Sequence, residues 1–256
     1  MCLLLFAYEC HPRYRLILAA NRDEYYDRPT APAGFWADAP DVLGGRDLEC
    51  GGTWLGINTQ GRVAAVSNYR DPQSKRRGAP SRGLLVSNFL RSKQPPEMYV
   101  EEILAQADRY NGFNLIFGNL GGLYYLSNRG ARQKLSPGLF GLSNHLLDTP
   151  WPKVTRGKQA LAELLGNDEE LQPEAVFHLL ADRNEAPDDS LPDTGVGLEV
   201  ERILSPLFIT SPQYGTRSST LVLVAREGKV TFIERTFRGQ AASHEDVRHE
   251  FKITHC

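Results

Sequence analysis

The sequence lacks the features that mark several large classes of protein. Its apolar start, Leu3-Leu4-Leu5-Phe6-Ala7, is far too short to span a membrane. Basic residues do not exceed acidic ones, with 29 Lys and Arg against 31 Asp and Glu, so no strongly basic surface is implied. The phosphate-binding pattern G-x-x-x-x-G-K-[ST] is also missing. We therefore expect neither a nucleic-acid partner nor stable insertion into a membrane.

Cysteine is scarce and widely spaced. No C-x-x-C pair occurs, which argues against a structural zinc site, and we expect no bound metal. The start lacks the basic segment of a signal peptide, so nothing directs the chain to an oxidising compartment. We therefore expect a cytoplasmic location and reduced thiols at all four cysteines, which are Cys2, Cys10, Cys50 and Cys256.

Hydrophobic patterns predict strands at both ends of the chain and helices in the middle. Apolar, β-compatible runs predict strands at Cys2–Tyr8, Tyr14–Ala20, Thr53–Asn58, Arg62–Ser67, Phe113–Phe117, Gly122–Ser127, Leu207–Thr210, Ser219–Ala225 and Val230–Arg235. Helical spacing predicts helices at Ser81–Arg91, Pro95–Tyr110, Lys158–Leu165 and Pro173–Ala181. This order favours an α+β fold with two antiparallel sheets covered by helices, in a single domain of residues 1–256.

Cys2 is the strongest candidate for chemistry. Cysteine is small enough for an aminopeptidase to trim the initiator Met1, which would leave a thiol and a free α-amine on one residue. The α-amine titrates near ~8 and the thiol near ~8.5, so the amine can take the proton of the thiol close to neutral pH. A buried, unreactive cysteine at the start of a core strand is the alternative reading.

A charged cluster, Asn21-Arg22-Asp23-Glu24, ends the second apolar run. If the first two strands form a hairpin, the end of the second strand lies beside Cys2. Arg22 would then lower the pKa of the thiol, and Asp23 would hold the α-ammonium group. Since Arg22 and Asp23 are adjacent, a strand would point them to opposite faces. A solvated strand end with a local ion pair is the alternative.

Further polar clusters lie at the edges of predicted strands. Gly51-Gly52-Thr53-Trp54 is either a binding loop or a simple hairpin connection. Asparagine side chains in Ser67-Asn68-Tyr69-Arg70 and Ser143-Asn144-His145 are candidate oxyanion donors, although asparagine also favours turns. A third cluster is Tyr214–Thr220, which contains Arg217.

These motifs together resemble the NRDE family, also named the transport and Golgi organization protein 2 family. The resemblance runs almost end to end and rests on Leu16–Glu24, Gly51–Asn58, Ser67–Arg70, Ser81–Gly83, Tyr110–Gly118, Gly141–Lys158 and Tyr214–Thr220. It implies the N-terminal nucleophile (Ntn) hydrolase fold, a four-layer αββα sandwich of two stacked antiparallel sheets flanked by helices.

The resemblance also implies roles for particular residues. Cysteine-type Ntn hydrolases use an N-terminal Cys, a strand-end Arg and Asp, Asn donors and a later Arg. By that likeness the catalytic candidates are Cys2, Arg22, Asp23, Asn144 and Arg217, and we expect substrate contacts from Asn21, Trp54, Asn68 and Tyr69. In the hydrolases the strand-end Arg and Asp stand further apart, whereas here they are adjacent.

Two functions follow as hypotheses. The first is hydrolysis of a small-molecule amide bond with Cys2 as nucleophile and no cofactor. The second, implied by the family alone, is non-catalytic binding and trafficking of haem, which would make haem the ligand. The cysteines lack a following proline, and the candidate axial ligands are His11, His145, His178, His244, His249 and His255. The pairing of Cys2 with Arg22 favours the first hypothesis.

Overall fold

A computed structural model describes residues 2–130, 132–166, 170–238 and 243–254, with the backbone alone for Cys2. The sulfur of Cys2 and the residues Met1, His255 and Cys256 therefore lie outside what is described. The chain divides into two compact units. The first comprises the described parts of Met1–Asp27, Ser136–Ser143 and Leu147–Glu250, and the second those of Arg28–Leu135, Asn144–Leu146 and Phe251–Cys256.

Within the described residues the strands, in chain order, are β1 Cys2–Tyr8, β2 Tyr14–Tyr25, β3 Thr30–Trp36, β4 Ala39–Asp47, β5 Leu55–Asn58, β6 Val63–Asn68, β7 Phe113–Asn119, β8 Gly122–Ser127, β9 Arg132–Lys134, β10 Gly138–Leu142, β11 Tyr214–Ala225, β12 Lys229–Phe237 and β13 His244–Lys252. The helices are α1 Gly83–Arg91, α2 Pro96–Leu104, α3 Pro152–Leu165, α4 Pro173–Leu180 and α5 Leu198–Leu204.

The first unit is built on a six-stranded antiparallel sheet of order β10-β1-β2-β11-β12-β13. Alternate residues of β1 and β2, such as Leu3, Leu5 and Ile17, are fully buried against α3 and α4. Val154 and Leu161 of α3 belong to the same core. This alternation fixes which face of β1 and β2 carries the helices.

The second unit is built on a seven-stranded antiparallel sheet of order β3-β4-β5-β6-β7-β8-β9. Its core joins alternate residues of β6 and β7 to α1 and α2, and Phe89, Tyr99 and Phe117 form a cluster of rings with centroids 5.0–5.6 Å apart. Neighbouring strands in this sheet are sequential in the chain, and the segment between β6 and β7 carries α1 and α2.

The predicted fold class, α+β with two antiparallel sheets and helices, is confirmed. The bounds of β1 and β8 were predicted correctly. The prediction of one domain over residues 1–256 stays a prediction. Among the described residues, no helix has the length and apolar character that crossing a membrane requires.

Other predicted elements are wrong in their bounds or type. The predicted strand at Leu207–Thr210 makes only one isolated bridge, between Thr210 and Gly215, because its amides bond elsewhere: the N–H of Phe208 donates to the carbonyl of Asp182. The helix predicted to reach Tyr110 ends at Leu104, and a short 3₁₀ turn follows. Conversely, α3 begins earlier than predicted, at Pro152, a residue suited to the first helical position.

Candidate active site

The hairpin of β1 and β2 places Cys2 opposite Arg22. In their antiparallel register Cys2 pairs with Arg22, and Leu3 pairs with Asn21. The structure thus confirms that the end of β2 lies beside the start of β1. On its other side β1 pairs with β10, but that pairing begins at Leu4. The strand pairing of Cys2 is therefore the one with β2.

The side chains of Asn21, Arg22 and Asp23 alternate across the sheet. The Asn21 amide nitrogen donates to the carbonyls of Leu180 and Leu207, at 2.9 and 2.8 Å, on the helix-bearing side. Arg22, between Asn21 and Asp23, therefore points to the opposite face. It is buried, with only 5% of its surface exposed, rather than pointing into bulk solvent.

Asn21 is tied into the fold by three hydrogen bonds. Besides its two donated bonds, its carboxamide oxygen accepts a bond from the Ser219 hydroxyl at 2.6 Å. Both amide hydrogens are thus used to join β2 to the last residue of α4 and to the segment before β11. The carboxamide has a clear structural task, and its predicted contact with substrate stays a prediction.

Asp23 lies on the helix-bearing face in a buried polar cluster. Its Oδ1 accepts a hydrogen bond from the Thr216 hydroxyl at 2.7 Å. The same Thr216 oxygen accepts the N–H of Ile209 at 2.9 Å, which directs the hydroxyl hydrogen toward Asp23. Burial raises the pKa of Asp23, and the positive charge of Lys153 is the strongest influence opposing that rise. The carboxyl group is therefore set in a dry environment with a cation nearby.

Arg217 and Ser218 reach the level of Arg22 through a β-bulge. Thr216 pairs with Asp23 and Ser218 pairs with Arg22, so Arg217 is the extra residue on β11. A bulge of this kind re-aims a side chain. Its Nη1 donates to the carbonyl of Tyr25 at 2.7 Å. Burial lowers the pKa of Arg217 and the like charge of Arg22 lowers it further, whereas the carboxylates of Glu24 and Asp27 raise it. Arg217 is thus a second cation that acts on Arg22, and it has acidic groups of the chain near it.

Ser218 is a buried hydroxyl whose oxygen has no hydrogen-bond partner among the described residues. Because it is directly opposite Arg22, the two side chains share a face of the sheet. Ser218 lies within the Tyr214–Thr220 cluster, in which only Arg217 was predicted to have a role. The sequence evidence for a functional role of Ser218 was weak, because serine at the edge of a strand usually indicates a turn.

The second unit brings together another group of predicted residues. The Asn144 amide nitrogen donates to the carbonyl of Asn68 at 3.1 Å, and Arg70 donates to the Asn144 side-chain oxygen at 3.2 Å. The Tyr69 hydroxyl lies 2.8 Å from His145 Nε2. The structure therefore joins the end of β6 to the segment after β10 and adds Arg70 and His145 to the predicted set.

Trp54 is 9% exposed and packs against Gly45, where a Cβ atom would lie 2.3 Å from the indole ring. The glycine-rich segment before Trp54 connects β4 to β5, and the N–H of Asp47 donates to the carbonyl of Gly52 at 2.9 Å. Of the two readings left open, these contacts favour a hairpin connection. The contact of Trp54 with substrate stays a prediction.

The histidines give no cluster of metal ligands. Among residues 2–130, 132–166, 170–238 and 243–254, no group of three or more His, Cys, Asp or Glu side chains is arranged to hold a metal ion. His11 is buried and its Nδ1 accepts the N–H of Arg13 at 3.1 Å, while His145 Nε2 is engaged with Tyr69. A haem iron takes only one or two protein ligands, so the predicted role of the histidines as axial ligands stays a prediction, and His255 lies outside the described residues.

A cavity of about 600 Å³ lies at the far end of β2. Tyr14 lines it, and Tyr14 is separated from Arg22 by eight residues of strand, or roughly 26 Å at 3.3 Å per residue. Two cations at its rim already have acidic partners: Arg226 pairs with Glu9 at 2.9 Å, and Lys229 with Glu250 at 3.0 Å. We assign no function to this cavity.

Comparison with solved structures shows the fold. A Caenorhabditis elegans orthologue of N-acylethanolamine-hydrolyzing acid amidase matches with a TM-score of 0.50 and 10% identity, over 87% of this chain and 92% of that chain. A variant of the conjugated bile acid hydrolase of Clostridium perfringens, in which alanine replaces the cysteine at position 2, matches with a TM-score of 0.50 and 9% identity, over 99% and 97% of the two chains. Both are Ntn hydrolases, which confirms the predicted fold class.

Comparison of sequences shows the family. The family model described as Transport and Golgi organisation 2 matches residues 1–239. Transport and Golgi organization protein 2 homologues from Bos taurus and Homo sapiens are each 40% identical over 99% of both chains. The Drosophila melanogaster protein of that name is 32% identical over 93% of both. The chain therefore belongs to the Transport and Golgi organisation 2 family.

Proposed function

We propose that the protein is a cysteine-type N-terminal nucleophile hydrolase that cleaves a small-molecule amide after Met1 is removed. The observation that supports this most is the register of β1 and β2, which sets Cys2 opposite Arg22. Arg217 adds a second cation close to Arg22. A thiol next to two guanidinium groups loses its proton more readily, because they stabilise the thiolate.

The reaction needs only one residue as nucleophile and base. The α-amine of processed Cys2 takes the thiol proton, and the thiolate attacks the amide carbonyl. The tetrahedral intermediate collapses to a thioester as the C–N bond breaks, and the departing amine takes the proton from the α-ammonium group. Water, deprotonated by the same amine, then attacks the thioester, releasing the acid and restoring the thiol.

The position of Arg22 also suggests which kind of substrate the site would bind. Arg22 and Ser218 share one face of the sheet, and a guanidinium group and a hydroxyl on one face suit contact with a carbonyl or carboxylate of the substrate. The proteins that share this fold are named for hydrolysing an N-acylethanolamine and a conjugated bile acid. We therefore propose an N-acyl amine or N-acyl amino acid as the substrate class. Asn144 as oxyanion donor, and Asn68 and Tyr69 as substrate contacts, stay predictions.

We also propose that the protein is located in a reducing compartment, the cytoplasm. Cys10 and Cys50 are free and exposed thiols, which fits a cytoplasmic location better than an oxidising one. No protein disulfide is needed for the chemistry.

The test is turnover by fully processed protein, with loss of Met1 verified by intact mass. We expect hydrolysis of at least one member of a panel of N-acylethanolamines and N-acyl amino acids, with a transient acyl adduct on the Cys2 peptide. Cys2→Ala should abolish both, and Cys2→Ser should slow turnover strongly, because a hydroxyl is a poorer nucleophile here. Cys10→Ala is the matched control and should behave as wild type, because Cys10 is exposed and donates only to the carbonyl of Gly138.

The same samples test the alternative function. Processed wild-type protein with neither turnover nor an acyl adduct would contradict the proposal. If that protein bound haem stoichiometrically, with a saturable shift of the Soret band that survived Cys2→Ala, non-catalytic haem carriage would replace it.

A further inference from the structure

Lys153 is buried in a place that is unfavourable for a positive charge. It is 2% exposed and follows Pro152, so it lies in the first turn of α3. The unpaired N–H groups of a first helical turn already carry partial positive charge, which repels a cation. A charged side chain also loses hydration when it is buried and then requires an opposite charge. A buried lysine at this position therefore calls for a carboxylate close by.

The packing of α3 sets Lys153 one helical turn from contacts with β1 and with a partner of β2. Gly157, one helical turn beyond Lys153, is so close to Leu5 that a Cβ atom on Gly157 would lie 2.7 Å from the Leu5 side chain. The same Cβ would lie 3.4 Å from Leu207, whose carbonyl accepts a hydrogen bond from Asn21. Helix α3 thus packs on β1 and on the segment that binds the end of β2.

Asp23 is the carboxylate in that place. It is 1% exposed and lies on the helix-bearing face, with the Thr216 hydroxyl as its hydrogen-bond donor. Three positive charges act on it: Lys153 from α3, the amino-terminal charge of the chain, and Arg22 from its own strand. Lys153 has the largest effect of the three.

We propose that Lys153 is a positioning residue that holds Asp23 as a carboxylate next to the α-amine of processed Cys2. This inference rests on the proposed hydrolase function. Because Cys2 pairs with Arg22, one further step along β2 reaches Asp23, at the position where the α-amine of Cys2 would extend from the strand. A carboxylate there orients the amine that serves as the base, and Lys153 neutralises it so that the pair adds no net charge.

The pH dependence of activity tests this role. Without Lys153, burial would raise the pKa of Asp23 further, so the carboxylate would form only at higher pH. We expect Lys153→Met to move the acid limb of the kcat/KM profile upward by about one pH unit. At a pH below the acid-limb midpoints of both proteins, the variant should be about tenfold slower than wild type. At alkaline pH its rate should recover. Lys153→Arg should keep the wild-type profile.

Lys158 provides the matched control on the same helix. Its ammonium group pairs with Asp148 at 2.6 Å and is partly exposed, so Lys158→Met should leave the profile unchanged. A Lys153→Met variant that loses rate equally at every pH would overturn the positioning role, because a general packing defect has no such pH dependence.

Unfolding experiments test the pair without relying on catalysis. In Lys153→Met the folded pKa of Asp23 lies further above its unfolded value, so stability is greatest at low pH and falls as the pH rises through the folded value. We expect the melting temperature of Lys153→Met to drop below that of wild type increasingly from pH 5 to pH 8. The double variant Asp23→Asn/Lys153→Met should lack this dependence and be more stable than Lys153→Met at pH 8.

The two sets of measurements separate the possible failures. If wild type turns over amides but Lys153→Met keeps the wild-type pH profile, the positioning role is overturned while hydrolysis stands. If no variant turns over amides yet the stability coupling is present, hydrolysis fails and the catalytic part of this inference fails with it. A double variant no more stable than Lys153→Met would overturn the ion pair itself.

Discussion

Ser218 on β11 lies directly opposite Arg22 on β2, and Arg22 in turn lies opposite Cys2 on β1. Three neighbouring strands thus contribute one residue each to a single level of the sheet. Cross-strand neighbours at one level share a face and lie close together. A guanidinium group flanked by a hydroxyl and by the first residue of β1 is the arrangement from which the proposed chemistry follows.

Arg22 should govern the reactivity of Cys2. Replacing Arg22 with Met removes the cation that the strand register sets opposite Cys2, so the thiol pKa should rise by about one unit and alkylation at pH 7 should slow about tenfold. Iodoacetamide labelling followed by peptide mass spectrometry measures this rate. The exposed thiols Cys10 and Cys50 serve as internal controls, and Arg22→Lys should retain most of the effect. An unchanged Cys2 rate in Arg22→Met would contradict the electrostatic role.

Asn21 should matter chiefly for stability. Asn21→Ala leaves the buried carbonyls of Leu180 and Leu207 without their donor, and we expect a loss of about 3 kcal/mol in the free energy of unfolding. Asn21→Asp should be worse, because it sets acceptors against those carbonyls. Urea unfolding provides the measurement. Exposed Asn184 is the control, and Asn184→Ala should change stability by no more than about 0.5 kcal/mol.

Gly45 should not tolerate a side chain. A Cβ atom on Gly45 would lie 2.3 Å from the Trp54 ring, so Gly45→Ala should destabilise the protein by about 1–3 kcal/mol. Gly34, in the neighbouring strand β3, has no atom within 4 Å of such a Cβ, and Gly34→Ala should be close to neutral. Thermal unfolding compares the two. Equal effects at both positions would mean that the Trp54 contact is not what limits Gly45.

His145 should make stability sensitive to mild acid. Burial lowers its pKa, so the unfolded chain binds a proton more readily than the folded one. The stability contributed by neutral His145 is therefore present above the unfolded pKa of ~6.5 and lost as the pH falls through the folded value.

The melting temperature of wild type should accordingly fall more between pH 7 and pH 5 than that of His145→Gln. Tyr69→Phe is the control, because it removes the hydroxyl partner and keeps the imidazole. A parallel fall in wild type and His145→Gln would assign the acid sensitivity to other groups.

The sequence predicted those parts of the molecule whose signal is local. The apolar run at Cys2–Tyr8 and the turn before Tyr14 are sufficient to predict a hairpin, and the hairpin alone brings Arg22 to Cys2. The end of β2 was predicted too early, at Ala20 rather than Tyr25, because its last residues are polar. They stay in the strand because buried partners such as Ser219 and Thr216 satisfy them.

Contacts that depend on how helices pack on the sheet could not be predicted from the sequence. Lysine in the first turn of a helix is normally expected to be solvated, and no pattern along the chain reveals that Lys153 is buried and that its charge acts on Asp23. Strand β13 was missed for a related reason, since His244–Lys252 is charged throughout much of its length and shows no apolar alternation.

That same strand has a consequence for self-association. As the last strand of the six-stranded sheet, β13 leaves one row of backbone groups without a neighbouring strand in that sheet. If a second copy of the chain paired a strand with β13, its backbone would lie against a row of ionised side chains. Those side chains would lose part of their hydration, which is unfavourable. A charged edge strand of this kind disfavours edge-to-edge association and cross-β assembly. The charged residues of β13 are Glu245, Asp246, Arg248, Glu250 and Lys252.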